Sequence, residues 1–459
     1  MGFLLWASTL SSQVHLGIQP QEKFKKVINV ILQMCQLLLS EGYCYFLDFL
    51  EIAYYPITNR FTNANSGPRF CPVVNSIINE WSVSDARELT GFTIPQLLKL
   101  LQHLRIPVTM RYSGYYRFRG EEAMLHYLYW MRVGGTKLQM SANMFGGDPR
   151  RFTYSIRLMS DHIYSTFYHK ISGDSMRMWI LQIHQFRYAI WDRLRNGMTI
   201  EEMEYSPELG RHRNRYVFLN VPFESWRIFG FIDDTGFRTT APGREARRRM
   251  GYIDDPQRSF YSGYFAGHGL KVQAVSLPNG MFGSVFIGEM RESDTGLLNM
   301  SGLDTYLSNL LREFSYILPD ADNQLPAVYG DEIFPQLSTI VARFLGNDLF
   351  TRKLNKRMAG VRQSLEHLFG LHFNIFKLFE DADRFRLMVT GVEVSKIIFN
   401  SFFILNCYNC FNESNNNFDI RPPTLEQYIP LHEIIPPAPV VEDYHLGDVY
   451  NYSTRNNNN

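Results

Sequence analysis

Two stretches decide how this chain is read: Ile228-Phe229-Gly230-Phe231-Ile232-Asp233-Asp234-Thr235 and, further on, Ala327-Val328-Tyr329-Gly330-Asp331. Each is an apolar run of strand length that ends in an acid, so each predicts a buried strand with a carboxylate at its end. A third acid, Glu366, stands beside Leu365, Leu368 and Phe369 in a segment from Arg352 to about Leu371 that reads as a helix. Charges next to buried apolar runs are costly unless they are paired or bound to metal. Asp and Glu supply the hard oxygen ligands that Mg²⁺ prefers and leave coordination places for water and phosphate. Two such ions about 4 Å apart serve phosphoryl transfer by activating the attacking oxygen and stabilising the leaving one.

Around these acids the pattern is that of an α/β domain. Lys271–Ser276 and Met281–Ile287 flank Pro278-Asn279-Gly280, and Asn-Gly between apolar runs predicts a hairpin. Before about Ser225 the signals are helical instead. Ser82-Val83-Ser84-Asp85 offers an N-cap, and Leu97, Leu98, Leu101 and Leu104 recur at helical spacing. Gly120-Glu121-Glu122 opens a helix that Gly134-Gly135 should end at about Val133. Residues 136–145 have the length of one helix, Gly146-Gly147 follows, and Asp148-Pro149 starts a further helix to about Tyr168. Two short helices joined by a glycine turn match a helix-turn-helix, whose second helix reads DNA from its N-terminal end. Lys137, Arg150, Arg151 and Arg157 are its candidate DNA contacts, against the alternative of solvated charges on an ordinary hairpin.

A strand-end Asp, a second strand-end Asp and a helix-borne Glu about 35 places on form the DDE arrangement of RNase H-like transposases and integrases. The flanking residues resemble one family in particular, the Harbinger (PIF-type) DDE transposases and the host nuclease-like proteins derived from them. Phe231–Thr235 is similar to that family's Ile-Asp-Gly-Thr motif, and Phe260–Gln273 to its Tyr-Asn/Ser-Gly…His-x-Leu-Lys-x-Gln block. Pro278-Asn279-Gly280 is similar to Pro-Asp-Gly, and Arg291-Glu292-Ser293-Asp294 to Arg-Arg-His-Asp. Gly330–Pro335 resembles Gly-Asp-x-x-Tyr-Pro, and Arg362–Gly370 resembles Arg-x-x-Val-Glu-x-x-Phe-Gly. The resemblance spans roughly residues 226–411. It implies an RNase H-like mixed sheet flanked by helices, two Mg²⁺ or Mn²⁺ ions, and cleavage and transfer of DNA strands. It makes Asp233, Asp331 and Glu366 the catalytic and metal-binding residues, with Asp234 and Asp294 as accessory acids. It also implies a Myb-like protein partner. The chain departs from the family at Asp234, which replaces a Gly and is exchangeable with Asp233 as a ligand on sequence grounds. Gly236 and Ser293 replace His residues, and Asn406-Cys407 stands where His-Asn is frequent.

Composition bounds the rest. The chain has 459 residues, enough for two or three domains, and its 45% hydrophobic and 20% charged residues are those of a globular protein. A net charge of +1 excludes a global field for nucleic acid, so any such binding is local. Residues 132–215 hold 13 Lys and Arg against 8 Asp and Glu, whereas residues 412–459 hold 2 against 7. The basic cluster Arg244, Arg247, Arg248 and Arg249 suits phosphate contact and a solvated loop equally well, and four arginines are weak evidence for nuclear import. Five cysteines are too few and too scattered for a disulfide framework, and Cys407-x-x-Cys410 has no second pair at zinc spacing. His268 reads as a structural hydrogen-bonder. Val27–Leu39 and Val394–Phe411 are apolar but interrupted by polar residues, and read as buried helices rather than membrane spans.

The expectation is therefore a four-part chain. Residues 1–60 form an unassigned extension, 61–220 a helical, helix-turn-helix-like DNA-binding region, 221–411 an RNase H-like DDE nuclease domain, and 412–459 an acidic Asn/Pro-rich tail without core-forming capacity. Its expected partners are double-stranded DNA and a further copy of itself, its expected location is the nucleus after cytoplasmic synthesis, and no membrane is involved. A catalytically silent DNA-binding or adaptor protein that retains the fold, and an interaction protein using its Phe- and Tyr-rich surface, are the alternatives.

Overall fold

The structure is a computed structural model that describes residues 83–112, 116–135, 149–195, 199–206, 211–218, 222–241, 256–316, 324–380, 385, 394–412 and 418–433. The chain divides into two compact units, residues 1–69 and 70–459, and every described residue belongs to the second. The expected extension, the first helix of the helix-turn-helix with Lys137, and Arg244, Arg247, Arg248 and Arg249 lie outside the described residues.

The chain begins with α1 (Val83–Thr90), α2 (Ile94–His103), the hairpin β1 (Thr109–Tyr112) and β2 (Tyr116–Arg119), and α3 (Gly120–Val133). Leu97 and Leu100 of α2 are buried as their spacing requires, whereas Leu98 is exposed. Helix α3 carries Glu121 and Glu122 in its first turn and is buried along nearly its whole length. Helix α4 (Pro149–Phe167) follows, then 3₁₀ turns and α5 (Ile183–Arg195), and then a separate two-stranded sheet of β3 (Thr199–Ser206) and β4 (Arg211–Phe218).

The central sheet starts at β5 (Ile228–Thr239). After α6 (Pro256–Phe260) come β6 (Tyr261–Ser262), β7 (Gly267–Ser276) and β8 (Phe282–Glu289), then α7 (Asp294–Ser301), α8 (Leu303–Glu313), β9 (Ala327–Tyr329) and β10 (Ile340–Val341). Strand order is β10-β9-β5-β7-β6, with β8 also beside β7. β5 pairs antiparallel with β7 and parallel with β9, and β9 pairs parallel with β10. The β7–β8 turn is the predicted Asn279-Gly280 hairpin, with Gly280 at φ 79°. This mixed sheet, flanked by helices, is the RNase H-like architecture expected.

The long helix α9 (Leu349–Ile375) starts at an Asp348 cap that accepts from Thr351 N, and packs on β5. Helix α10 (Val394–Phe411) is buried on almost every side between α4 and β8. Among the described residues no helix is long and apolar enough to cross a membrane. Asn400 Nδ2 donates to Ser160 O on α4, so the helices before residue 220 and those after it share one apolar core. The reading of residues 412–459 needs correction: Phe418, Ile420, Leu425, Tyr428 and Ile429 are buried, with α11 (Leu425–Tyr428) against α10. Tyr428 receives Asn406 Nδ2 at 3.0 Å and donates to Lys170 O, and Glu433 pairs with Lys170. Sequence composition missed this because five apolar residues are diluted among Pro, Asn and acids.

Candidate active site

Sheet register places the two aspartates. Phe231 of β5 lies opposite Tyr329 of the parallel neighbour β9. Asp233 and Asp331 each stand two residues further, Asp233 within β5 and Asp331 beyond the end of β9, near enough for the charge of Asp331 to act on Asp233. Asp331 is fixed just past the end of β9, where its Oδ1 accepts from Ile333 N at 3.0 Å. Asp233 Oδ1 accepts from Asp234 N at 3.0 Å. Burial pushes the Asp233 carboxyl above the usual carboxylate range, and the charge of Asp331 pushes it the same way, while Arg362 opposes both.

Arg362 of α9 ties the third acid to this pair. Its Nη1 donates to Asp233 Oδ2 at 2.6 Å and its Nη2 to Glu366 Oε1, one helical turn on, at 3.2 Å. Leu365 and Leu368 face the core and hold α9 at this rotation, leaving Glu366 half in solvent. The structure thus brings together Asp233, Asp331 and, through a guanidinium, Glu366. Among the described residues no three Asp, Glu, His or Cys side chains are gathered closely enough to hold a metal ion. Asp233 and Asp331 nevertheless fit a divalent cation, being hard oxygen donors side by side at strand ends. Glu366 completes that set only by exchanging its bond to Arg362. The positive charge between the acids is supplied by Arg362, a residue that sequence reading quoted but gave no role. The signal was its place four residues before Glu366, where i,i+4 side chains meet.

The accessory acids go elsewhere. Asp234 follows Asp233 and so points to the opposite face of β5, where it opposes Gln273 of β7. Its side chain is 2% exposed, neither oxygen has a hydrogen bond of good geometry, and Lys271 Nζ is 3.9 Å away. Burial, reinforced by the nearby Asp294, raises its pKa well above the ordinary value. Asp294 binds Lys271 directly, and Lys271 also donates to Glu292 O. Gln273 Oε1 accepts from Ser301. The Lys-x-Gln pair therefore anchors α7 to the sheet. Asp234 and Asp294 lie with Lys271, apart from Asp233, the Asp that the Ile-Asp motif favours.

The departures from the motif also find local reasons. A Cβ at Gly236 would lie 2.7 Å from Met290 Cε and 2.9 Å from the Phe265 ring, so a larger residue has no room there. Ser293 caps α7 by accepting from Gly296 N. Asn406 brackets Phe282, accepting its N–H at 2.8 Å and donating to its carbonyl at 2.9 Å. His268 packs edge-on against Tyr261. Cys407 is buried and its thiol pKa is pushed well up by burial.

The candidate DNA-reading helix α4 is mostly an internal element. Arg151 makes three hydrogen bonds to the buried Glu122 of α3, at 2.9–3.1 Å, and its guanidinium lies 4.5 Å from the Phe118 ring centre. Arg157 donates to the Tyr112 hydroxyl, and Arg150 is exposed.

Residues 232–401 match the family model described as DDE superfamily endonuclease. This part of the chain is a DDE-type domain, and Asp233, Asp331 and Glu366 lie within the matched residues. No curated protein and no solved structure matches the chain.

Proposed function

We propose that the chain is a DNA endonuclease and strand transferase of the Harbinger kind, dependent on Mg²⁺ or Mn²⁺. The observation that supports this reading is the placement of Asp233 and Asp331 two residues beyond the paired Phe231 and Tyr329, near enough for the charge of Asp331 to act on Asp233, with Glu366 tied to Asp233 through Arg362. Two bound ions would activate the attacking oxygen and neutralise charge on the phosphate. The chain's own residues position and compensate. The backbone N–H groups of Asp234 and Ile333 each hold one oxygen of Asp233 and Asp331, and Arg362 holds the second oxygen of Asp233. Arg362 balances Asp233 and Glu366; with a divalent cation held there its guanidinium would be available to pair with a phosphate oxygen. The substrate is double-stranded DNA; a Myb-like protein, a second copy of the chain and a nuclear location belong to the same proposal by resemblance.

The test is Mn²⁺-induced thermal stabilisation. An ion that binds only the folded chain adds about 2.7 kcal/mol at a hundredfold excess over Kd. Wild type and Asp234→Asn should both gain, and Asp233→Asn and Asp331→Asn should not. No gain in any of the four proteins points to the silent DNA-binding alternative, and equal gain in all four removes these acids from metal binding.

A further inference from the structure

Helix α9 carries an uneven charge. Its first half holds Arg352, Lys353, Lys356 and Arg357, and Arg362 follows, whereas Glu366 is the sole acid before residue 367. No acid lies in its first turn. The helix macrodipole places positive potential at this end, so cations clustered there are opposed by the helix itself as well as by one another. Helices α3 and α8 do the reverse, opening with Glu121 and Glu122 and with Asp304, whereas α4 also opens with cations, Arg150 and Arg151. Arg352, Lys353 and Lys356 have no ion pair among the described residues, and Asp348, the nearest acid in sequence, is engaged in capping Thr351.

The cations lie on a stripe that leads to the acids. The apolar residues Leu354, Met358, Val361 and Leu365 turn inward, and Arg352, Lys356, Ala359, Gly360, Gln363 and Glu366 form the exposed side. Between the cations and the acidic site the stripe narrows to Ala359 and Gly360, and a Cβ added at Gly360 would meet nothing within 4 Å. At 1.5 Å per residue, Arg352 is about 15 Å along the axis from Arg362. That distance accommodates several phosphates of one strand, spaced about 3.4 Å apart along the duplex axis.

We propose that the exposed side of α9 from Arg352 to Gln363 is a DNA backbone track that leads the duplex to Asp233 and Asp331. The occupant is DNA because an unpaired cationic row ending at paired acids suits a polyanion whose phosphate is to be delivered to those acids. The inference rests on the proposed function and adds the path of the substrate, which the helix-turn-helix expectation placed elsewhere. Arg352, Lys353 and Lys356 act through phosphate contact, without base recognition.

The experiment measures binding of a fluorescently labelled, random-sequence DNA duplex as a function of salt. Arg352→Gln/Lys353→Gln/Lys356→Gln removes three charges with residues that favour helix. Each lost phosphate contact reduces the slope of log K against log salt by about 0.9, so the triple variant should lose about 2–3 from the slope and keep the wild-type Tm. Arg111→Gln/Arg117→Gln, on the β1–β2 hairpin where the two residues pair across strands, is the control and should keep the slope. An unchanged slope in the triple variant, or an equal loss in the control, overturns the track while leaving the nuclease reading standing. Absence of salt-dependent DNA binding by the wild type overturns both.

Discussion

Replacing Arg151 with Met separates a structural role from a DNA-reading one. Glu122 is 1% exposed and takes three hydrogen bonds from Arg151, which is itself 17% exposed, besides one from the Arg119 backbone. Removing one partner of a buried pair costs about 3–5 kcal/mol, because the remaining charge is left without compensation. Loss of the contact with the Phe118 ring adds about 0.5–1 kcal/mol. At roughly 2–4 °C per kcal/mol, Tm should fall by roughly 7–24 °C at neutral pH. The deficit depends on pH in a defined direction. Burial raises the Glu122 pKa in spite of Arg151, so the folded form holds the proton more tightly than the unfolded chain. Stability from that group is complete below the unfolded value and is lost as pH rises through the folded one. Without Arg151 the folded value moves further up. The deficit should therefore be widest at pH 8 and should narrow towards pH 4.5. Replacing both partners, Glu122→Leu/Arg151→Met, should recover most of the loss. Thermal unfolding of the three proteins across that pH range is the assay. A single variant with wild-type Tm at pH 8, or a deficit that does not change with pH, would refute the reasoning and return Arg151 to the list of DNA contacts.

The docked C-terminal segment should matter for stability. Tyr428→Ala removes a fully buried ring that stacks on Trp179, lies tilted beside Phe403 and bonds Asn406, so calorimetry should show a loss of about 3–5 kcal/mol; a loss below about 1 kcal/mol would mean the segment is not seated. His372 lies among Phe237, Phe376, Phe379 and Phe402 with Ser401 on Nε2, and burial lowers its pKa to about 3. The unfolded chain then binds the extra proton as pH falls below 6.5, costing up to about 1.4 kcal/mol per pH unit from this group. The Tm of His372→Gln should accordingly decline less steeply from pH 6.5 to pH 5 than that of wild type, and parallel declines would contradict it.

Much of the DDE-type domain could be read from sequence because its signals are local. Asp233 and Asp331 each end an apolar run, Asn279-Gly280 sits between two more, and Leu365 and Leu368 give the face of α9 from spacing alone. Alternation along β5 already implied that Asp233 and Asp234 face opposite ways, but which of them met Asp331 depended on the pairing of β5 with β9, nearly a hundred residues apart in sequence. The links that proved least legible are of that non-local kind. Arg151 looked like a surface cation because its partner, Glu122, belongs to another helix 29 residues away. The tail looked coreless because Tyr428 finds its neighbours at Asn406 and Lys170, the second 258 residues back. Arg362 was visible as a motif residue, yet its bridge to Asp233 spans 129 residues.

The central claim is that Asp233 and Asp331 form one cation-dependent centre that cuts DNA and that Asp234, next in sequence, does not belong to it. The most direct measurement is nicking of supercoiled plasmid in Mg²⁺ or Mn²⁺ by wild type, Asp331→Asn and Asp234→Asn, each shown to be folded by thermal unfolding. The account predicts metal-dependent nicking by wild type and Asp234→Asn and none by Asp331→Asn. Undiminished nicking by Asp331→Asn, or its loss in Asp234→Asn alone, would contradict it.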